Sequence, residues 1–245
     1  MDHEGILAVE RLAQAAAGKT VEIGGLVYST TPLHDPRRQQ PIPATLALST
    51  LSSFVDYAKS KHDLSYRGER GGFVHVVGPT RVRLCTGVFG EFNQRVDMAQ
   101  ADAIVPRLTL DSFLDPETFN IMLQAHFVAT EGRSTALAIV GNLAAEAVQT
   151  VADDGMSQSA TMRAGVVRVS TTKIPNPIVL RPFRAFSEVE QVDSPFVLRL
   201  RGGGDGKFPA CALFESDGGM WRIEATARVK NRLADALDGV CAVYG

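Results

Sequence analysis

Apolar residues recur along this chain at two spacings, and the switches between them divide it into elements. Ile6, Val9, Ala13 and Ala16 fall at helical intervals and stop before Gly18, which predicts a short amphipathic helix over 5–17. Residues 21–28 read as one strand interrupted by Gly24 and Gly25, and the run TPLHDPRRQQPIP over 31–43 is a loop, because its prolines suit neither a helix interior nor a central strand. A strand over 45–48 follows. Ser49 is then placed to cap a helix whose Leu51, Phe54, Val55 and Ala58 share one face. From Leu64 the period becomes two, with strands over 73–77, 81–89 and 94–101 separated by Gly78-Pro79 and by a polar turn near Glu91 and Asn93, the pattern of an antiparallel meander.

The middle of the chain is helical. Asp115 before Pro116 is an N-cap with proline at the first helical position, and Phe119, Leu123 and Phe127 follow at four-residue intervals. A turn at Glu131-Gly132 leads to a second helix from Ser134 through Leu137, Val140 and Leu143, closing a helical hairpin. Strands return over 147–151, 157–163, 166–170, 178–186, 196–201 and 208–214. Asp217 is placed to cap a last helix carrying Trp221, Ala225, Val229, Leu233 and Leu237 on one side and ending near Gly239, before a terminal strand over 240–244. Helices grouped between two strand-rich blocks predict an α+β fold of mostly antiparallel strands with a central helical hairpin and a C-terminal helix, and they disfavour a parallel doubly wound sheet. The domain reading is a helix and arm over 1–43 and an α+β core over 44–245, with a sub-boundary near 106–114.

Composition narrows the function. Of 245 residues 45% are apolar, enough to build a core and too many for a disordered chain. A net charge of −2 with both signs interspersed gives no global field toward nucleic acid or an anionic membrane, so any such affinity is local. The N-terminal residues hold no long apolar run, so neither a signal segment nor a membrane anchor is expected, and the cytoplasm is the expected compartment. Cys85, Cys211 and Cys241 are odd in number and far apart, which predicts reduced thiols and neither a disulfide framework nor a zinc site.

Catalytic patterns are missing from the sequence. His3, His34, His62, His75 and His126 each stand without a clustered partner, and there is no G-x-S-x-G elbow. The run Gly202 to Lys207 resembles a phosphate loop only superficially: Arg201 occupies the place of its first glycine and Phe208 that of its hydroxyl residue, so it reads as a hairpin turn. Asp153-Asp154 before Gly155 reads as another turn, and Glu188 and Glu190 as neighbours on one strand face. No cofactor or bound metal is expected.

Basic residues offer more. Arg81 and Arg83 share one face of a strand, as do Arg199 and Arg201. Between Tyr57 and Arg83 six basic residues, Arg67 and Arg70 among them, stand against Asp63 and Glu69, a local balance of +4 with Tyr57, Tyr66 and Phe73 interleaved. Cations that follow phosphates beside rings that stack on bases suit single-stranded nucleic acid; the alternative is the solvated face of an antiparallel sheet. The candidate nucleic-acid-binding residues are therefore Arg67, Arg70, Arg81, Arg83, Arg199 and Arg201.

DDGMSQ from Asp153, PNPIVLRPFRAF from Pro175, EVEQVDSPF from Glu188 and ALFESDGGMW from Ala212 resemble the YfdQ-like family of uncharacterised tailed-phage and prophage proteins. The likeness is best in the C-terminal half. It implies a phage or prophage origin and expression in the cytoplasm of a bacterial host, and it brings no catalytic residues. The expectation is a non-enzymatic, self-associating protein that binds single-stranded DNA or a host or phage protein, without a membrane. The alternatives are a structural or sequestering homo-oligomer, such as a shell-like assembly or an anti-host-defence protein, and a metal-dependent nuclease drawing on Asp205 or Glu190.

Overall fold

A computed structural model describes residues 20–29, 44–60, 62–63, 72–88, 94–145, 147–153, 158–164, 168–201 and 209–245. The chain divides into two units, Met1–Pro43 and Ala44–Gly245. In the first, β1 (Thr20–Ile23) and β2 (Leu26–Ser29) pair antiparallel around Gly24-Gly25, so the single interrupted strand expected there is a hairpin. The cause is local: both glycines take positive φ, +63° and +79°, which suits the tight turn of a two-residue hairpin. The expected helix over 5–17 and loop over 31–43 lie outside the described residues.

The second unit is α+β. Its first body is a five-stranded mixed sheet, ordered β13-β4-β5-β6-β3, from β3 (Leu46–Leu48), β4 (Phe73–Gly78), β5 (Arg81–Cys85), β6 (Asp97–Asp102) and β13 (Ala242–Tyr244). The meander β4-β5-β6 is antiparallel, as the two-residue period predicts, whereas β3 joins β6 and β13 joins β4 in parallel. Helix α1 (Leu51–Lys59) is capped by the Thr50 hydroxyl, which accepts from the Ser53 N–H; the cap expected at Ser49 falls one residue later, where the backbone is last extended. Val74, Val76, Val82, Leu84, Met98 and Ala101 of the sheet form one core with Leu51, Phe54 and Ala58 of α1.

The second body has a separate core. Helix α2 (Pro116–His126) starts where the sequence places it, with the Asp115 carboxylate accepting from the Glu117 and Thr118 N–H groups. Helix α3 (Glu131–Ala145) begins three residues before the expected Ser134, so Glu131-Gly132 is its first turn and not a connection. Gly132 allows this, since a Cβ there would stand 2.0 Å from the Val179 carbonyl oxygen. Both helices pack on the antiparallel sheet of β10 (Ile178–Leu180), β11 (Ser194–Arg201) and β12 (Ala210–Glu215) through Phe119, Leu123, Phe127, Ile139 and Val140 against Leu180, Phe196, Leu198 and Leu213. A third antiparallel sheet, β7 (Ala147–Asp153), β8 (Gln158–Ala164) and β9 (Arg168–Ile174), adjoins it, with the Leu200 N–H donating to Gln158 Oε1 at 2.9 Å.

The strand expected over 178–186 ends at Leu180. Beyond it the chain turns, and Gln191 holds the turn: its Oε1 accepts from the N–H groups of Arg184 and Ala185, while its Nε2 donates to the carbonyls of Phe186 and Val189. This segment carries Ala185, Phe186, Val189 and Val192 into the first core. There they meet α4 (Trp221–Ala236), whose Ala225, Val229 and Leu233 are buried. Asp217 accepts from the Gly219 and Trp221 N–H groups, so it braces the turn leading into α4 instead of occupying the cap position itself.

Candidate nucleic-acid interface

Alternation along β4 sends Val74 and Val76 into the core and leaves Phe73, His75 and Val77 on the opposite face. Register continues that face across the sheet. His75 stands beside Arg83 on β5 and Tyr244 on β13, and Arg81 and Arg83 stand beside Asp102 and Gln100 on β6. His75 and Tyr244 are exposed, Tyr244 by 58%.

Two kinds of arginine occupy this face. Arg81 donates from Nε to Asp102 at 2.5 Å; Arg83 pairs with Asp97 at 3.3 Å and donates to Gln100 Oε1 at 3.1 Å, while Gln100 Nε2 donates to Asp102 at 2.6 Å. The hydrogen bond from Arg81 holds the Asp102 carboxyl below its ordinary value of 3.8. The positive charge that the sequence places at Arg81 and Arg83 is thus matched within the sheet, as cross-strand pairing of opposite charges favours. Arg95 differs. Its guanidinium carbon lies 4.8 Å from the centre of the Phe73 ring, and it has no carboxylate partner among the described residues. Phe73 in turn meets Tyr244 edge-on, with ring centres 5.6 Å apart and planes at 75°. The resulting surface holds two rings and one guanidinium without a carboxylate partner among the described residues, beside an exposed imidazole.

The other expected residues are distributed differently. Arg67, Arg70 and Tyr66 lie outside the described residues, as does the glycine run 202–207. Tyr57 packs against the core from α1 and donates to Asp63 at 2.9 Å, so it does not join Phe73 on the exposed face. Arg199 and Arg201 do share a face of β11, opposite Leu198 and Leu200, but on the three-stranded sheet, so structure does not gather the two arginine pairs into one patch. Glu188 and Glu190 share no strand: Glu188 accepts from the Ser52 N–H of α1 at 2.9 Å, and Glu190 pairs with Arg181 at 2.8 Å and Arg228 at 3.5 Å. Among the described residues no group of three or more His, Cys, Asp or Glu side chains could hold a metal ion.

Arg184 is the buried charge that sequence reasoning missed. Only 7% exposed, it pairs with Glu215 and Ser194 and lies 3.7 Å from the Trp221 ring centre. Burial pulls its pKa below the ordinary arginine value, with Glu215 opposing. The motif PFRAF gave no signal of this, because Glu215 lies 31 residues away. No helix among the described residues is long and apolar enough to cross a membrane. Comparison of the chain with protein-family models, curated proteins and solved structures finds no match in any of the three.

Proposed function

We propose that this chain is a non-enzymatic, self-associating binding protein that takes single-stranded nucleic acid on the exposed face of its five-stranded sheet. The observation that carries the reading is the Arg95, Phe73 and Tyr244 arrangement on a face rimmed by His75. Unpaired bases offer a π-face to aromatic rings, while a guanidinium without a carboxylate partner answers a phosphate. A duplex hides its base faces, so such a platform favours single strands. Self-association belongs to the proposal because β3 and β13 end the sheet and each has one flank without a strand among the described residues. Phage origin and a bacterial host cytoplasm are also proposed, and they rest on the YfdQ-like resemblance alone.

Fluorescence anisotropy with a labelled oligothymidylate tests the reading. Tyr244→Ala should weaken binding at least about fivefold, the loss expected for one stacked base. Arg95→Ala should weaken it and reduce the slope of log K against log salt by about 0.7, the change for one phosphate contact on a single strand. Arg81→Ala should do far less, because Asp102 already matches that charge. Wild-type affinity in both Tyr244→Ala and Arg95→Ala would end the proposal. A discrete oligomer that takes no nucleic acid would replace it with the sequestering assembly.

A further inference from the structure

The same combination of groups recurs on the second body. The Arg201 guanidinium carbon lies 4.0 Å from the centre of the Phe113 ring, and Phe113 meets Phe214 edge-on, at 6.4 Å between ring centres and 69° between planes. Phe113 is fixed there by its neighbours. The Asp111 N–H donates to the Leu213 carbonyl, and Leu114 and Cys211 exchange two backbone hydrogen bonds of 2.8 Å, which tie the segment preceding α2 to β12. Phe214 shares the outward face of β12, since Cys211 and Leu213 point into the core, and register sets Val197 beside Phe214 and Arg201 beside Ala210. Arg201 is exposed and has no carboxylate partner among the described residues. The carboxylate of Asp115 is engaged at the N-terminus of α2.

We infer that each protomer carries a second single-stranded nucleic-acid site, formed on β11 and β12 by Arg201, Phe113 and Phe214. The inference rests on the reading of the first face and extends it, because both arrangements offer the same chemistry. A guanidinium over a ring keeps its N–H edge for a phosphate, and the guanidinium plane and the second ring provide surfaces on which a base stacks. Charge selects this ligand over an apolar partner, because Arg201 is exposed. The two sites stand on sheets that share no strand. One protomer can therefore hold two strands, or two stretches of one.

Native mass spectrometry with tetrathymidylate measures the number bound, since about four nucleotides is the short limit of a single site. Two should bind per protomer at saturation. At the lowest concentration that fills both wild-type sites, Arg201→Ala and Tyr244→Ala should each leave one site filled and weaken the other at least about fivefold, and the double variant should weaken both. Arg201 and Tyr244 are both exposed, so circular dichroism should show the variants folded, and Arg201→Lys should retain part of the second binding event through charge alone. One tetranucleotide per protomer, weakened by Tyr244→Ala and unaffected by Arg201→Ala, would overturn the second site and leave the first standing. One weakened by Arg201→Ala alone would overturn the first face and the two-site count together. No binding at all would overturn both.

Discussion

A thiol reacts as its thiolate, and two of the three cysteines are held far from that form. Burial, reinforced by a 3.2 Å hydrogen bond from Cys85 Sγ to Asp97, pushes Cys85 up to about 12, and burial pushes Cys211 to about 12 as well. Both should stay unmodified by a disulfide reagent at pH 8 in the folded protein and react once it is unfolded in urea; mass spectrometry of the labelled peptides reads the result. Labelling of Cys85 at the rate of an exposed thiol would contradict its place in the sheet. On the same strands, Asp102 titrates below 3.8 because Arg81 donates to it. A carboxyl whose folded pKa is depressed adds stability above its unfolded value, and that contribution is lost as pH falls through the lower folded value. Its size is small, because the pair is half exposed and surface ion pairs contribute about 0–1 kcal/mol.

Elements are positioned here by a few close approaches. The first turn of α3 lies against the backbone of β10, where a Cβ on Gly132 would come within 2.0 Å of the Val179 oxygen. Gly132→Ala should therefore move α3 off β10 and cost about 1–3 kcal/mol, the range for overpacking. Gly141 provides the contrast within the same helix. It is exposed, and nothing lies within 4 Å of a Cβ built there, so Gly141→Ala should stabilise by about 0.5–1 kcal/mol through helix propensity. Urea denaturation of the two variants measures both, and shifts of the same sign would refute this account of the α3 contact. Arg133 adds to the hairpin, donating from Nη1 to the Phe127 carbonyl at 2.8 Å just past the end of α2.

Across the larger unit, the joint between its two cores is the turn from Arg181 to Asp193. Arg181 pairs with Glu190 and Asp193 and Arg228 of α4 with Glu190, while Arg184 reaches Glu215 on β12 and Trp221 at the start of α4. Removing one partner of a buried pair leaves the other charge without compensation, a cost of about 3–5 kcal/mol when both are buried. Here the members are unequal: Arg184 is buried, whereas the Glu215 side chain is 26% exposed. Glu215→Ala should consequently destabilise more than Arg184→Met, which fills the space beside Trp221 and leaves a carboxylate that can turn to water. Equilibrium unfolding of both variants decides it, and the reverse order would show that packing on Trp221, not charge, governs the joint.

Local pattern was enough for the α+β class and for several of its elements, α2 and the β4-β5 pair among them. The four-residue spacing of Phe119, Leu123 and Phe127 behind Asp115-Pro116, and the two-residue alternation of β4 and β5, depend on side-chain direction along one segment, which adjacent residues dictate. The candidate site was legible only in part. Phe73, Arg81, Arg83, Arg199 and Arg201 could be named, but their spacing says nothing of partners that arrive from other strands. Asp102 matches Arg81 from 21 residues away, and Tyr244 reaches Phe73 only because β13 joins β4 in parallel. Arg95 falls in the strand expected over 94–101 but stands just before β6 begins at Asp97, so its contact with Phe73 depends on a chain path that the two-residue period does not give. The sequence by itself thus determined which residues face the same way along each element. Tertiary structure decided which charges are neutralised and which rings meet, because those depend on contacts between segments distant in the chain.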